Sequence, residues 1–242
     1  MTRMFFVCMV FLPMCIATIS HSGVPEYTVL RATNPIVIDG VLDEQDWEKA
    51  QSFVPFTFPW WESGEKEQTE VKMLWDDTFL YLAYHCDDTH IWADHYTTNT
   101  ATCLDDCVEL FWNPNPEANG EYNMFEINCI GNLLSIYNNL KTSTRFTIMV
   151  PHIAQTIDGT INNDADSDKG WTLEVAIRFS DYPNLMKKSH PAHGDVWRIG
   201  LNRCGGKTNP QYSQWSPSQT PQPNYHSPED FGKIIFSEKP VR

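Results

Sequence analysis

The sequence is poor in positive charge. Its 242 residues include 17 Lys and Arg against 31 Asp and Glu, which gives a formal net charge of −14. A chain this acidic repels the phosphates of nucleic acids and the anionic surfaces of lipid bilayers. We therefore expect neither nucleic acid nor a membrane surface among its partners.

Three motifs that would indicate metal, haem or redox chemistry are missing. The sequence has no CxxC pair, no CxxCH and no HExxH, which argues against a zinc ribbon, a thioredoxin-like site, covalently bound haem and a catalytic zinc. Five cysteines follow residue 22: Cys86, Cys103, Cys107, Cys129 and Cys204. Because five is odd, at least one stays a thiol or pairs outside the chain, and the sequence leaves the connectivity open.

Long apolar runs are also scarce. One run, Met4–Ile16, follows Arg3 and precedes small and polar residues. It is shorter than the roughly 20 apolar residues that cross a bilayer as a helix. The pattern is typical of a secretory signal peptide, which we place at Met1–Ser22. Residues 23–242 are then predicted to form one exported domain, periplasmic or extracellular.

Sustained helical periodicity is absent, and short segments of strand character alternate with turn residues. Only Leu42–Ala50 reads as helical, and we expect its Trp47 to point inward. Many short strands with regular turns predict an all-β fold, an antiparallel β-sandwich. The predicted strands are Tyr27–Arg31, Ile36–Ile38, Gln51–Phe58, Thr69–Trp75, Phe79–Cys86, Cys107–Asn113, Glu121–Asn128, Leu133–Tyr137, Arg145–Val150, Trp171–Arg178, Trp197–Arg203 and Gly232–Ser237.

The central stretch, Asp105–Gly131, is predicted to be a pair of strands around a Pro/Asn/Gly turn. Side chains two apart share a face of a strand, so Glu109 on one strand, and Glu126 and Asn128 on the other, can lie on a polar face of the sheet. An acidic sheet face beside long loops suits a small ligand. The same pattern also occurs on any half-exposed antiparallel sheet.

Aromatic residues make up 13% of the chain and include nine Trp. Sugar rings stack their C–H faces on aromatic rings, so this composition favours a carbohydrate ligand, although most of these Trp can equally serve a hydrophobic core. Trp75, Trp171 and Trp197 alternate with polar residues in predicted strands, and we expect them in the core. Other rings stand in predicted loops: Trp60, Trp61, Trp92, Trp215 and Tyr225. Of these, Trp92 and Tyr225 are the predicted ligand contacts.

Several fragments together resemble carbohydrate-binding module family 9 (CBM9). In chain order they are Ile38-Asp39-Gly40, VKMLWDDTFLYLAYHCDD, DDCVELFW, WTLEVAI, WRIGLNR and EDFGKIIF. The resemblance implies a single-domain, CBM9/DOMON-like antiparallel β-sandwich that is non-catalytic and binds polysaccharide or oligosaccharide. It also implies a sugar held between two aromatic rings, and a structural calcium ion.

The resemblance also implies roles for individual residues. Glu109 matches the sugar-contacting acid of the family and Asn128 a polar contact, while Glu126 stands where the family has an arginine. Tyr225 falls where one of the two sandwiching rings sits. Cys103 occupies the place of the other.

Two further candidates complete the predicted binding site. Trp92 or Tyr96, upstream of Cys103 in the same loop, could supply the second ring. Arg203 either lines the sugar-binding face or forms a structural ion pair. The predicted site is therefore Trp92, Glu109, Glu126, Asn128, Arg203 and Tyr225.

Calcium ligands and partner proteins are less well defined. The acidic clusters Asp87-Asp88, Asp105-Asp106 and Asp164–Asp168 supply oxygen ligands of the kind that calcium prefers, but no individual ligand can be assigned. A lone binding module could present polysaccharide to partner glycoside hydrolases.

Two other functions stay open. Glu109 and Glu126 on neighbouring strands could form a glycosidase pair of the retaining type, with carboxyl groups about 5 Å apart. A haem-binding, DOMON-like redox module would need axial Met and His ligands. The candidates for such ligands are Met73, Met124, Met149 and His152.

Overall fold

The computed structural model describes residues 23–53, 55–118, 120–183, 186 and 188–242. The predicted signal peptide, Met1–Ser22, lies outside these residues. Among the described residues, no helix has the length and apolar content needed to cross a bilayer. The strands are β1 Glu26–Arg31, β2 Ser52–Phe53, β3 Thr69–Trp75, β4 Phe79–Asp87, β5 Cys107–Asn113, β6 Glu121–Asn128, β7 Leu133–Asn139, β8 Thr144–Thr147, β9 His152–Asp158, β10 Gly170–Arg178, β11 Val196–Cys204, β12 Tyr212–Gln214 and β13 Gly232–Pro240. The helix α1 spans Gln45–Lys49, and 3-10 turns span Thr102–Leu104 and Phe179–Asp181.

The strands hydrogen-bond into one long curled sheet. Its order is β8-β7-β6-β5-β11-β13-β1-β3-β4-β10-β9, with β12 beside β11 and β2 beside β3. Strand β1 runs parallel to β13 and β3, and the other pairs are antiparallel. The sheet curls so that its two halves enclose a common core, and the predicted all-β sandwich is confirmed.

Strand alternation fills the space between the two halves with apolar side chains. Leu110 of β5 and Val175 of β10, from opposite halves, belong to one buried cluster. The predicted core positions of three tryptophans are confirmed, with exposures of 3% or less: Trp75, Trp171 and Trp197. Trp197 also stacks on Trp112 with ring centroids 5.4 Å apart. Buried aromatic rings of this size contribute strongly to the stability of a core.

The segment around α1 covers the outer face of β3, β4 and β10. Trp47 is 1% exposed, as predicted, and its indole N–H donates to Glu174 Oε1 at 2.9 Å. The other oxygen of Glu174 accepts from the backbone N–H groups of Asp39 and Gly40. Gly40 has φ +86°, and a Cβ there would lie 2.6 Å from the backbone of Gln155, so this approach requires glycine.

One predicted strand is absent from the described structure, and two strands of the structure were not predicted. Ile36–Ile38 forms no strand; Ile36 and Ile38 instead pack against the cluster around Trp47. Strand β9 lies at an edge of the sheet and none of its side chains is fully buried, and β12 pairs over only three residues within a Pro-rich stretch. Short and exposed edge strands carry little hydrophobic alternation, so the sequence pattern did not reveal them.

Candidate functional site

Two acidic side chains face each other on the outer side of the first half of the sheet. Glu109 of β5 lies directly opposite Glu126 of β6, and Asn202 of β11 lies opposite Glu109 on its other side. The flanking residues Leu110 and Phe125 point into the core, so alternation sends both carboxylates outward. The sequence-based prediction that Glu109 and Glu126 share a face is thus reproduced by the structure.

This face is covered rather than open. Glu109 is 3% exposed and Glu126 is 5% exposed. The thiol of Cys204 lies 3.4 Å from Glu109 Oε1, and Cys107 lies opposite Cys204 across β5 and β11. Cys107 and Cys204 belong to a buried cluster on this outer face, and Cys103 packs against that cluster. The half-exposed sheet face expected from the sequence is therefore a closed layer.

Burial changes the acidity of the two carboxyl groups. It raises the pKa of Glu109 to about 8, and the neighbouring negative charge of Glu126 adds to this shift. Burial also raises the pKa of Glu126, although a hydrogen bond from Cys103 and the charge of Arg145 oppose the shift. Two carboxylates cannot both ionise easily when they are buried side by side. At neutral pH the pair therefore retains a proton.

Tyr225 packs over this covered face and is itself buried. It is 7% exposed, and its hydroxyl donates to the backbone carbonyls of Arg203 at 2.7 Å and Ser213 at 3.2 Å. Its ring centroid lies 5.6 Å from that of Trp60, which packs on the same cluster from outside. The structure thus places Tyr225 near Glu109, as a covering residue whose ring has little free surface.

Arg203 does not line the face of Glu109 and Glu126. Its side chain is fully buried, with Nη2 at 3.0 Å from Asp88 Oδ2 and 3.7 Å from Glu67 Oε2. Neighbouring residues on β11 alternate, so Asn202 points outward and Arg203 inward. Of the two sequence-based alternatives for Arg203, the structure shows the ion pair.

The other two predicted site residues, Asn128 and Trp92, are engaged by neighbouring protein groups. Asn128 is fully buried, and its amide donates to Asp105 Oδ2 at 2.8 Å and to the backbone carbonyl of His95 at 2.9 Å. It anchors the loop before β5. Trp92 is half-buried, and the ammonium group of Lys207 lies 3.7 Å from its ring centroid. A cation at this distance occupies one face of the indole ring.

The acidic clusters proposed for calcium are engaged by protein donors. Asp106 accepts from the backbone N–H of Trp92, and Asp168 accepts from those of Ile91 and Thr160. Within the described ranges, no group of three or more His, Cys, Asp or Glu side chains is arranged to hold a metal ion. Calcium stays a prediction from the resemblance.

Sequence reasoning missed three residues that surround Glu109: Asn202, Cys107 and Cys204. A usable signal was present, because the alternation of Trp197, Ile199 and Leu201 along β11 points Asn202 and Cys204 to the opposite face. Cys107 similarly shares its face with Glu109 on β5. The rings outside this layer, Trp60 and Tyr212, depend on loop paths that the pattern does not encode.

Solved structures share this fold. A candidate carbohydrate-binding protein from Bacteroides uniformis ATCC 8492 has a TM-score of 0.74 at 20% identity, over 89% of this chain and 100% of that one. A CBM9 module from Caldicellulosiruptor kristjanssonii in complex with cellotriose has a TM-score of 0.61 at 15% identity, over 88% and 95%. The same organism's CBM9 in complex with glucose has a TM-score of 0.59 at 14% identity, over 88% and 97%. The fold is therefore that of the β-sandwich carbohydrate-binding modules.

The sequence itself matches a family model. The model of carbohydrate-binding family 9 matches residues 38–236, and the chain belongs to this family. None of the curated protein sequences compared with the chain matches it.

Proposed function

We propose that this protein is an exported, non-catalytic module that binds polysaccharide or oligosaccharide. The observation that carries the proposal is the match to carbohydrate-binding family 9 over residues 38–236, on a fold shared with modules that hold cellotriose and glucose. Sugar binding in such a module requires accessible aromatic rings and polar groups. It does not require catalytic residues.

The surface of this chain supplies accessible rings. Trp61, Tyr96 and Tyr212 are 43%, 61% and 41% exposed. Exposed apolar side chains that form a contiguous patch often mark a contact surface. The net charge of −14 favours neutral ligands over anionic ones such as nucleic acids.

The buried state of Glu109 and Glu126 argues against a glycosidase. A retaining enzyme needs both carboxyl groups in contact with the substrate, one as nucleophile and one as acid. Here both are 5% exposed or less, under Tyr225 and Cys204. Substrate could reach them only if this layer moved away.

The predicted haem ligands also lie apart. Met73 belongs to the core between the sheet halves, and Met124 belongs to the cluster on the outer face. His152 is exposed, with its ring centroid 5.8 Å from that of Phe79. A haem needs its axial ligands on opposite sides of one slot, which this arrangement does not offer.

The sequence supports export, and the family resemblance supports a role beside partner enzymes. The apolar run behind Arg3 supports secretion to the periplasm or the extracellular space, where polysaccharides occur. A binding module of this kind would hold polysaccharide close to partner glycoside hydrolases and so raise the effective substrate concentration. We expect neither nucleic acid nor a membrane among the partners.

The test is affinity electrophoresis in native gels that contain mixed-linkage β-glucan, xyloglucan, glucomannan or galactan. We expect at least one neutral glycan to retard the protein relative to an inert protein of similar charge, with no release of reducing sugar. Treatment with EDTA tests the calcium prediction in the same gels. Normal mobility in every gel would contradict carbohydrate binding to these glycans, and sugar release would favour the glycosidase.

A further inference from the structure

A cleft of about 540 Å³ opens beside the covered face, between residues 59–63 and residues 210–223. Three of its wall residues are aromatic: Trp60, Trp61 and Tyr212. Trp61 is 43% exposed and Tyr212 is 41% exposed, so both rings present free surface. We call this feature the aromatic cleft.

The cleft is held open by contacts between its two loops. The indole N–H of Trp60 donates to the carbonyl of Thr220 at 2.8 Å, which joins one wall to the other. Thr57 and Gln214 exchange backbone hydrogen bonds at 2.8 and 3.0 Å. Four prolines also line the cleft: Pro59, Pro210, Pro221 and Pro223. Because proline fixes its φ angle, this shape needs little ordering when a ligand binds.

The chemistry of the cleft suits a sugar. Aromatic faces carry partial negative charge and attract the weakly positive C–H groups on the face of a pyranose ring. Glu62 and Gln222 line the same cleft with exposed side chains, and among the described residues no side-chain hydrogen bond engages either of them. A carboxylate accepts hydrogen bonds from hydroxyl groups, and an amide can both donate and accept.

The charge of the cleft favours a neutral ligand. Glu62 contributes a negative charge, and the nearby cation, Lys66, lies 4.5 Å from the centroid of the Trp61 ring. This cation–π contact occupies one face of Trp61 and leaves the other for a ligand. An anionic sugar would meet both Glu62 and the acidic chain.

We propose that the aromatic cleft is the contact site for a neutral saccharide, with Trp61 and Tyr212 as stacking rings and Glu62 as a hydroxyl acceptor. This inference rests on the proposed carbohydrate binding and assigns its position. Tyr225 lies behind the cleft, with ring centroids at 5.6 Å from Trp60 and 6.3 Å from Tyr212. The site thus lies one layer of side chains outside Glu109 and Glu126.

A second hollow provides the matched control. It measures about 670 Å³ and lies beside β7 and β8, where Phe146 is 48% exposed. Phe146 stacks on Tyr137 at 4.7 Å, and the hydroxyl of Tyr137 donates to Glu121. In this hollow one face of each ring is covered by the other ring, and the Tyr137 hydroxyl is already engaged.

The experiment compares four variants with the wild-type full-length protein: Trp61→Ala, Tyr212→Ala, Glu62→Ala and Phe146→Ala. Native gels with the glycan that retards the wild type most strongly give relative affinities, and thermal unfolding verifies the fold of each variant. We expect at least tenfold weaker binding for Trp61→Ala and Tyr212→Ala, a smaller loss for Glu62→Ala and no change for Phe146→Ala. Alginate and polygalacturonate, which are anionic, should not retard the wild type.

The outcomes separate the site from the function. Wild-type binding that survives in both folded ring variants would overturn the aromatic cleft and leave carbohydrate binding intact. Binding lost only in Phe146→Ala would move the site to the hollow beside β8 and would also overturn the cleft. Absence of wild-type binding to every neutral glycan would overturn carbohydrate binding itself. If one ring variant does not fold, the other ring variant and Glu62→Ala show whether the aromatic cleft is the binding site.

Discussion

Glu109 and Glu126 lie opposite each other on adjacent antiparallel strands, and both are at least 95% buried. A buried pair of acids without a cation between them is destabilising unless at least one acid is protonated. The raised pKa of Glu109, about 8, satisfies this condition at neutral pH. The pair therefore couples the stability of the fold to pH.

We predict that Glu109→Gln flattens the pH dependence of stability. The pKa of the Glu109 carboxyl is 4.5 in the unfolded chain and about 8 in the folded protein. Between these values the folded state binds more protons, so the free energy of unfolding of the wild type falls as pH rises through this window. Glutamine mimics the protonated acid. The variant should match the wild type near pH 4.5 and exceed its stability at pH 9 by on the order of a few kcal/mol, because one pKa unit corresponds to about 1.4 kcal/mol.

Urea unfolding from pH 4.5 to 9 measures this difference. Glu117→Gln, at an exposed position, is the control and should follow the wild type at every pH. A constant offset between Glu109→Gln and the wild type across the whole range would show that Glu109 has an ordinary pKa.

Arg203 is predicted to be a stability residue. It is the cation beside the buried carboxylates of Asp88 and Glu67. Removing one partner of a buried ion pair strands the other charge, so Arg203→Met should cost about 3–5 kcal/mol. Chemical denaturation measures the loss.

The control for this substitution is Lys239→Met at an exposed position of β13, which should change stability by less than about 0.5 kcal/mol. Arg203→Met combined with Asp88→Asn should recover part of the loss, because the two residues interact directly. If Arg203→Met alone were nearly neutral, the ion pair would not contribute to stability.

The sequence predicted well what depends on local patterns. The bounds of β3, β5 and β6 agree with the prediction, because strict alternation and the intervening turn residues are properties of short windows. The prediction that Glu109 and Glu126 share a face of the sheet followed from the same alternation. These features need no knowledge of distant segments.

Local alternation could not predict that other side chains cover the face of Glu109 and Glu126. Trp60 meets Tyr225 across 165 positions of sequence, and no local pattern encodes such a contact. Arg203 is a different case, since the inward alternation of Ile199 and Leu201 on β11 was a local signal that could have decided between its two predicted roles. Charged side chains are usually exposed, but the ion pair with buried Asp88 allows Arg203 to be buried.

The cysteines are predicted to react slowly. Cys86, Cys107, Cys129 and Cys204 are buried thiols, and Cys103 is half-buried with its pKa raised by burial to about 12. Since the thiolate is the reactive form, a disulfide reagent at pH 8 should label the native protein slowly. Peptide mass spectrometry should find Cys103 labelled first and the other four only after denaturation. Rapid native labelling of Cys107 or Cys204 would show that the layer over Glu109 opens readily.

Tyr225→Phe distinguishes a supporting ring from a ligand contact. The substitution removes the hydroxyl that donates to Arg203 and Ser213 and leaves the ring in place. A lost buried hydrogen bond costs about 1–3 kcal/mol, so the free energy of unfolding should fall by that amount while glycan retardation stays unchanged. Trp61→Ala should show the reverse, because its ring is exposed in the aromatic cleft. If Tyr225→Phe weakened glycan binding without a loss of stability, the sugar would reach the Tyr225 hydroxyl, and the layer over Glu109 would have to part when the ligand binds.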